Sequence, residues 1–396
     1  AETVLSIGGN PLWPINSALR ILWMAEHEPE ILRRADKWLL IEDFLNFMLC
    51  GRRVTDYSMA SCTLLFDQRT LSWSDELIRL SGLDRDLLCD VLPSGTRIGE
   101  IQSAASDATG LPAGTPVVLG GHDHLCGALP VGAFRPGVVL DITGTWECVM
   151  TPTEGPALQD ELRVAGMTVQ AHVARGAHTV WGGCVAGEML EWYRKQWAGS
   201  VPASDASAEG AGWDDLMAEA SAASPGAGGV QFLPHMSAAA CPVVDPRSLG
   251  AFVGLSTRAT RGDILRAMIE GLDYQFLDIV LALETALETK LANFVAVGGA
   301  TRNEFWMQNK ADVAGRAIEV PDVEEATPLG AAILAGIGVG LYRDEEEACE
   351  RIYRPGRTYE PDAERVKQYA EWFQTYRELY PAVKPVSHRL YEEFMS

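Results

Sequence analysis

The stretch GGHDHLCGALPVGAFRPGVVLDITGTWE, residues 120–147, brings together two different chemical features. Asp123 stands between two histidines, directly after the short buried strand that TPVVLGG predicts. Farther along, GVVLDITGTWECVM predicts a β-hairpin whose turn is Thr143-Gly144-Thr145. An aspartate placed after a strand and a glycine pair can accept a proton from a ligand hydroxyl. The same aspartate can also be a turn residue that bonds its own backbone.

A metal site is a third interpretation of His122, Asp123 and His124. On a strand-like backbone, histidines two positions apart share a face, and Asp123 is then expected to point away from them. Zinc needs several ligands that converge on one point. We therefore predict no metal ion at this segment.

Two further glycine-rich turns follow predicted strands. FVAVGGA ends a strand at Gly298-Gly299-Ala300, and the strand HTVWGG leads directly into the helix predicted for CVAGEMLEWYRKQW. Strands that feed helices through such turns indicate an α/β protein, in which ligands bind at the carboxyl ends of strands. Free backbone N–H groups at these turns can bind phosphate. The sequence contains neither a Walker A pattern nor a G-x-G-x-x-G after a first strand, so a P-loop or Rossmann site is disfavoured.

Charge and cysteine content limit the function classes. The 396 residues carry a net charge of −22, from 32 basic and 54 acidic residues. Such a surface repels nucleic acid and anionic lipid, so neither is an expected partner. The eight cysteines form no C-x-x-C pair, and no signal peptide or membrane-spanning run is evident. We expect a reduced, cytoplasmic protein without disulfides.

The rest of the chain predicts alternating elements. Helices are expected in the first part at INSALRILWMAEH, KWLLIEDFLNFMLCG and SWSDELIRLSG. A long helix begins at RGDILRAMIEGL, and TPLGAAILAGIGVG predicts a small-residue helix suited to close packing. Residues 200–228 are expected to form a surface excursion with one short helix, WDDLMAEA.

These pieces together resemble the FGGY family of carbohydrate kinases. The most specific match is GAFVGLSTRATRGDILRAMIE, residues 250–270, which fits the family's second signature throughout. INSALRILWMAEH is similar to the first signature, although Arg20 replaces the usual lysine and Ile15 is atypical. VTDYSMASCTLLFDQRTLSWSDELI is similar to the family's substrate-domain stretch. The resemblance implies an actin-like, RNase H-like ATPase fold with two domains around a central cleft.

The resemblance also implies roles for individual residues. Asp123 falls on the family's catalytic base, and His124 on a substrate-contacting position that is glutamine in glycerol-kinase-like members. ATP is implied as the phosphoryl donor, together with Mg²⁺. The implied nucleotide-binding positions are Thr143, Gly144, Thr145, Gly187, Glu191, Gly298, Gly299 and Asn303. Glu191 departs from the glutamine that is usual there.

The expected substrate is a small ketose such as xylulose, ribulose or tagatose, or a polyol such as erythritol or glycerol. We predict that residues 1–126 belong to the sugar-binding domain and residues 127–396 to the nucleotide-binding domain. Family members begin with an Asp-x-Gly-Thr loop that is absent from this sequence, so the first domain is expected to be truncated. An inactive nucleotide- or sugar-binding pseudokinase is therefore an alternative, and an actin- or chaperone-type ATPase is a third. A homodimer is expected by analogy only.

Overall fold

The computed structural model describes residues 2–197 and 211–395, which form an α/β fold around one large mixed sheet. Most of the predicted excursion before the helix at WDDLMAEA lies outside the described residues. That helix is present as part of a longer one, Ala211–Ala222. All eight cysteines are free, as expected from their scattered positions.

The first part of the chain is mainly helical, with short strands between the helices. In chain order its elements are α1 Glu2–Gly8, α2 Ser17–His27, α3 Pro29–Arg34, α4 Ile41–Cys50, β1 Val54–Asp56, α5 Tyr57–Ser61, β2 Phe66–Asp67, β3 Ser72–Trp73, α6 Asp75–Ser81, β4 Asp90–Leu92, β5 Arg97–Glu100, α7 Ser103–Thr109, β6 Pro116–Val118 and α8 Asp123–Ala128. A short 3₁₀ helix, Arg85–Leu87, precedes β4. The strands pair two by two, β1 with β4, β2 with β3 and β5 with β6.

The second part contains the large sheet and its covering helices. Its elements are β7 Val138–Thr143, β8 Trp146–Thr153, α9 Asp160–Val164, β9 Thr168–Ala171, β10 His178–Val185, α10 Gly187–Trp197, α11 Ala211–Ala222, β11 Gln231–Leu233, β12 Ala251–Val253, α12 Arg261–Ala286, β13 Asn293–Val297, α13 Glu304–Ala314, β14 Ile318–Val320, α14 Ala326–Gly338, α15 Glu345–Ile352, β15 Arg357–Tyr359 and α16 Ala363–Phe394. Two 3₁₀ helices, Ala227–Gly229 and Gly299–Arg302, lie before β11 and α13.

The large sheet has seven strands in the order β15-β14-β13-β7-β8-β10-β9. Strands β7, β13 and β14 are parallel to one another, whereas the remaining neighbours pair antiparallel. The predicted hairpin is confirmed, because β7 and β8 pair on either side of the Thr143-Gly144-Thr145 turn. Val297, the last residue of β13, pairs with Ile142 near the end of β7, so both strands end at one edge.

Helices cover both faces of the sheet, as alternating side chains require. Val139 and Val149 point into the core formed with α12, whereas their neighbours Leu140 and Met150 point into the core formed with α8 and α14. The small-residue helix α14 packs closely on α8, where the Thr327 hydroxyl donates to the carbonyl of Asp123 at 3.2 Å. The segment that carries Asp123 is thereby fixed to the large sheet.

The structure corrects one local prediction at the candidate site. Asp123 does not lie on a strand-like backbone, because it is the first residue of α8 and His122 is the N-cap. The predicted helix at KWLLIEDFLNFMLCG is confirmed only from Ile41, since Leu40 is its extended N-cap. The described residues contain no helix long and apolar enough to cross a membrane.

Candidate active site

Two of the predicted nucleotide loops meet because they end neighbouring parallel strands. Gly298 follows β13 and lies against the main chain of Thr143 at the end of β7. A Cβ on Gly298 would lie 2.5 Å from the carbonyl oxygen of Thr143, so only glycine permits this approach. The carboxyl edge of the sheet therefore carries both turns side by side.

The third predicted loop joins them at the start of α10. The backbone N–H groups of Ala186 and Gly187 donate to the carbonyls of Thr145 at 3.1 Å and Gly144 at 3.0 Å. A Cβ on Gly187 would lie 2.6 Å from the Gly144 carbonyl oxygen, so any side chain at position 187 would clash with the hairpin turn. The N-terminus of α10 thus adjoins the hairpin turn, which places a positive helix end at the edge of the sheet.

The groups exposed at this edge suit a phosphate-bearing ligand. Thr145, Gly298 and Gly299 are exposed, and nothing lies within 4 Å of the position of a Cβ on Gly299. Asn303 uses its side-chain oxygen to cap α13, where it accepts from the N–H of Trp306 at 3.0 Å. Backbone N–H groups at helix starts and turns bind anions without needing basic side chains.

Two of the predicted nucleotide-site residues have their side chains engaged elsewhere. Thr143 is fully buried, and its hydroxyl donates to Oδ2 of Asp141 at 2.8 Å, so only its backbone faces the edge. The Glu191 carboxylate accepts two hydrogen bonds from Arg194, both at 2.7 Å, and these hold its pKa below the usual range. A role of Glu191 in nucleotide binding would require that ion pair to open.

A buried ion cluster, missed by the sequence analysis, supports the hairpin turn from below. Lys310 on α13 is fully buried, with Nζ 2.6 Å from Asp141 Oδ2, 2.8 Å from Glu147 Oε1 and 3.0 Å from the Thr143 hydroxyl. Burial lowers the pKa of Lys310, but the nearby carboxylates outweigh burial and raise it above the usual range. We call Asp141, Glu147, Asp273 and Lys310 the lysine-centred cluster.

Asp123 presents one carboxylate oxygen to solvent. Its Oδ1 accepts from the N–H of His124 at 2.6 Å and lies 2.9 Å from Nδ1 of His122. Its Oδ2 has no hydrogen bond to any residue within 2–197 and 211–395, and 78% of the side chain is exposed. Hydrogen bonds from His122 and His124 hold the pKa of Asp123 well below its usual range. Burial raises the pKa of Cys148 on β8, beside the hairpin turn. The negative charges of Asp141 and Asp123 raise it further.

The two flanking histidines differ in protonation. Burial lowers the pKa of His122, but contacts with Asp123 and Cys62 outweigh burial and raise it to about 10. His124 is more deeply buried, and burial together with the charge of His122 lowers its pKa to about 4. Near neutral pH, a charged imidazole and a neutral one therefore lie on either side of the carboxylate.

Residues far from His124 in the sequence surround its side chain. Nε2 of His124 lies 3.1 Å from Oε1 of Gln170, and Nε1 of Trp181 donates to the same oxygen at 2.8 Å. Trp13 packs edge-on against Trp181, with ring centroids 6.1 Å apart. These residues come from β9, β10 and the loop after α1, so no local sequence pattern joins them to His124.

The geometric objection to a metal ion at this segment is wrong. Ligand atoms of His122, Asp123 and His124 all lie within 4.8 Å of one another, because a helix start turns the three side chains together. In the part of the chain that the structure describes, this is the one such group. Three protein ligands leave a position open, so the segment could hold a cation with water or a ligand oxygen.

Comparisons with known proteins give two matches to one family. The N-terminal domain of the FGGY family of carbohydrate kinases matches residues 1–130, and its C-terminal domain matches residues 140–339. The predicted division between residues 126 and 127 stays a prediction.

Three relatives illustrate the similarity. L-fuculokinase from Escherichia coli (strain K12) is 30% identical over 365 residues, which cover 92% of this chain and 73% of that protein. Autoinducer-2 kinase from the same strain is 31% identical over 370 residues, which cover 91% of this chain and 68% of that protein. The crystal structure of xylulose kinase from Rhodospirillum rubrum superposes with a TM-score of 0.86 at 26% identity, covering 98% of this chain and 76% of that one.

Proposed function

The chain belongs to the FGGY family of carbohydrate kinases, and we propose that it transfers the γ-phosphoryl group of ATP to a hydroxyl of a ketose or polyol. The observation that carries this proposal is Oδ2 of Asp123, which has no hydrogen bond to the described residues and lies on the segment that α14 fixes to the large sheet, whose carboxyl edge carries the three glycine-rich turns. Xylulose kinase and L-fuculokinase are named for ketoses, which supports a ketose as substrate.

In the proposed reaction, Asp123 positions the sugar hydroxyl and accepts its proton on Oδ2. A new O–P bond forms as the bond from the γ-phosphorus to the bridging oxygen breaks, and ADP leaves. Because the pKa of Asp123 is low, the carboxylate is a weak base. That suits phosphoryl transfer through a loose transition state, in which positioning counts more than early proton removal.

The residues present also fit the two implied cofactors. ATP phosphates would lie against the exposed Thr145 and Gly298-Gly299, because the N–H groups of Gly144 and of the start of α10 already donate to main-chain carbonyls. Mg²⁺ takes oxygen ligands and keeps much of its water. Oδ2 of Asp123 is assigned to the sugar hydroxyl and Asp141 is held by Lys310, so the ion would be held mainly by the nucleotide phosphates and its own water. When bound, the ion would neutralise phosphate charge.

An ADP-release assay with a panel of ketoses and polyols tests the proposal. Asp123→Asn keeps the shape of the side chain but cannot accept the proton, so kcat should fall about 10²- to 10⁴-fold. The Kd for ATP should stay within about twofold, because Asp123 acts on the sugar hydroxyl. The matched control is Asp107→Asn, an exposed aspartate on α7, which should change neither quantity.

Two results would count against the proposal. Equal losses of ATP affinity and turnover in Asp123→Asn would assign Asp123 to nucleotide binding. ATP or sugar binding with no turnover of any sugar by the unaltered chain would instead support the alternative of a binding module.

A further inference from the structure

The segment His122-Asp123-His124 has the spacing of a three-ligand metal site. Nδ1 of His122 lies 2.9 Å and Nδ1 of His124 lies 3.4 Å from the same oxygen, Oδ1 of Asp123. A tetrahedral zinc ion holds nitrogen and oxygen ligands at about 2.1 Å, which places the ligand atoms about 3.4 Å from one another. Ligand atoms of all three residues lie within 4.8 Å of one another, so small side-chain rotations would bring them onto one ion.

Contacts with other elements hold the two histidines in this arrangement. The backbone N–H of His122 donates to the hydroxyl of Ser58 at 2.9 Å, which fixes the start of the segment. The far nitrogen of His124, Nε2, lies 3.1 Å from Oε1 of the buried Gln170. A histidine that binds metal through one nitrogen donates the N–H of its other nitrogen to such an oxygen, and this contact orients the ring. The ligands are therefore largely ordered before a metal ion arrives.

The ligand types select the class of ion. Imidazole nitrogen suits zinc, nickel and copper, whereas Mg²⁺ prefers oxygen ligands and keeps much of its water. An ion bound here would therefore be distinct from the Mg²⁺ that accompanies ATP. The net charge of −22 favours the approach of any cation. Because the side chain of Asp123 is 78% exposed and those of His122 and His124 only 28% and 12%, the remaining coordination positions would face the exposed side of Asp123.

We propose that His122, Asp123 and His124 form an inhibitory site for a divalent transition-metal ion of the zinc class. Asp123 would bind the ion through Oδ1, and the water that completes the coordination would lie on the exposed side, where the sugar hydroxyl is proposed to bind. The positive charge of the ion would also keep Asp123 from accepting a proton. Zinc and sugar would therefore exclude one another. The inhibition rests on the proposed function, whereas binding of the ion does not depend on turnover.

The first test measures zinc binding to the full chain without ATP or sugar, because ATP itself binds zinc. Competition with a coloured zinc chelator should show one saturable site per chain, and His122→Gln should raise its Kd at least about tenfold. The matched control is His388→Gln, which removes the histidine of a pair with Asp245 that belongs to no three-ligand group among residues 2–197 and 211–395. His388→Gln should leave the Kd unchanged. Absence of a saturable site in the unaltered chain would overturn the proposal.

Cobalt in place of zinc identifies the ligands without any variant. Co²⁺ held by nitrogen and oxygen should give visible d–d bands and no thiolate-to-cobalt charge-transfer band. That band is the sign of a cysteine ligand, and Cys62 is the thiol that contacts His122. A strong thiolate band, or an equal Kd in the unaltered chain and in His122→Gln, would overturn the assignment of the site to these three residues.

The second test is kinetic and uses Mg-ATP with a sugar that the chain phosphorylates, while a metal buffer sets the free zinc concentration. At free zinc about ten times its Kd, the KM for the sugar should rise about tenfold, and kcat and the KM for ATP should stay within about twofold. A chelator should restore the zinc-free KM. In His122→Gln, about tenfold more zinc should be needed for the same relative rise, measured against the zinc-free KM of that variant.

The outcomes separate this inference from the proposed function. Turnover that is unchanged or faster when zinc is bound would overturn the inhibitory role and leave the kinase proposal standing. Absence of turnover with every sugar would overturn the kinase proposal, and the zinc and cobalt measurements would then support or overturn the metal site by themselves.

Discussion

Two buried groups of carboxylates in this molecule are stabilised in different ways. The lysine-centred cluster places Lys310 between Asp141 and Glu147, with Asp273 close enough to raise the pKa of Lys310 further. In the first part of the chain, Glu42, Asp43 and Asp56 also lie close together, and none of them forms an ion pair with a lysine or arginine among residues 2–197 and 211–395. We call these three the acid cluster.

The acid cluster avoids like-charge repulsion by holding protons. Burial and the neighbouring carboxylates raise the pKa of Glu42 to about 8, and burial raises the pKa of Asp43 to about 7. Asp56 has a raised pKa too, mainly because it is fully buried. A fixed cation does not remove the effect of burial, because the pKa of Glu147 is still raised to about 8 and that of Asp273 to about 7. The two clusters therefore differ in whether a cation is present, and pH acts on both.

Removing Lys310 should have the largest effect on this comparison. Lys310→Met would leave Asp141 and Glu147 buried without their cation, at an expected cost of about 3–5 kcal/mol in the free energy of unfolding. The control is Lys290→Met, because the Lys290 side chain is 81% exposed in its pair with Glu284 and should contribute no more than about 1 kcal/mol. Urea denaturation measures both. Equal losses of unfolding free energy in the two variants would mean that water reaches the lysine-centred cluster.

The second largest effect on the free energy of unfolding is expected from a change of pH, which acts on the acid cluster. Folding raises the pKa of Glu42 and Asp43, so their stabilisation is complete below the unfolded pKa near 4 and is lost as pH rises through about 7 to 8. Between pH 5 and 8 the free energy of unfolding should fall by a few kcal/mol in the unaltered chain. The double variant Glu42→Gln/Asp43→Asn should show a flatter dependence.

The control for the pH series is a second double variant. Glu76→Gln/Asp107→Asn neutralises two exposed carboxylates in the same part of the chain and should keep the slope of the unaltered protein. If the Glu42→Gln/Asp43→Asn variant keeps that slope too, the acid cluster is ionised in the folded state and the explanation by protonation is wrong.

The smallest effect is expected on the outer face of α4, the helix that carries Glu42 and Asp43. This helix buries Asp43 and Asn46, while Ile41, Leu45 and Met48 are 55–73% exposed. Leu45→Gln/Met48→Gln should change the free energy of unfolding by only about 0.5 kcal/mol. Leu49→Gln on the packed side should cost about 1–3 kcal/mol. Similar costs for both would mean that the outer face is covered in solution.

Local turn chemistry made the three glycine-rich turns at the carboxyl edge of the sheet predictable from sequence. The hairpin turn, the start of α10 and the Gly298-Gly299 turn were each recognisable, and the parallel pairing of β7 with β13 brings two of them together. The partners of Asp123 and Thr143 were not predictable. Lys310 is 169 positions from Asp141, and Gln170 is 46 from His124, so only the folded chain joins them.

Helices α8 and α16 are among those that the sequence pattern does not predict, and for both the reason is identifiable. Helix α8 spans only six residues after a glycine pair, which is too short for a helical repeat to show. Helix α16 runs for 32 residues, but Pro381 and Pro385 interrupt its hydrogen bonding and its pattern. Helix α12, with 26 residues, was predictable, because Thr260 and Asp263 form a capping box before a sustained apolar repeat.

The sheet edge proposed to bind the nucleotide is built from main-chain groups on a protein whose net charge is −22. Its attraction for phosphate is therefore short-ranged, because peptide dipoles act only within a few ångströms, while the long-range field of the surface repels the same anion. Added salt screens the repulsion and leaves the close contacts largely intact. Ionic strength then acts on the association rate of the nucleotide rather than on its dissociation rate. Added salt should raise the association rate.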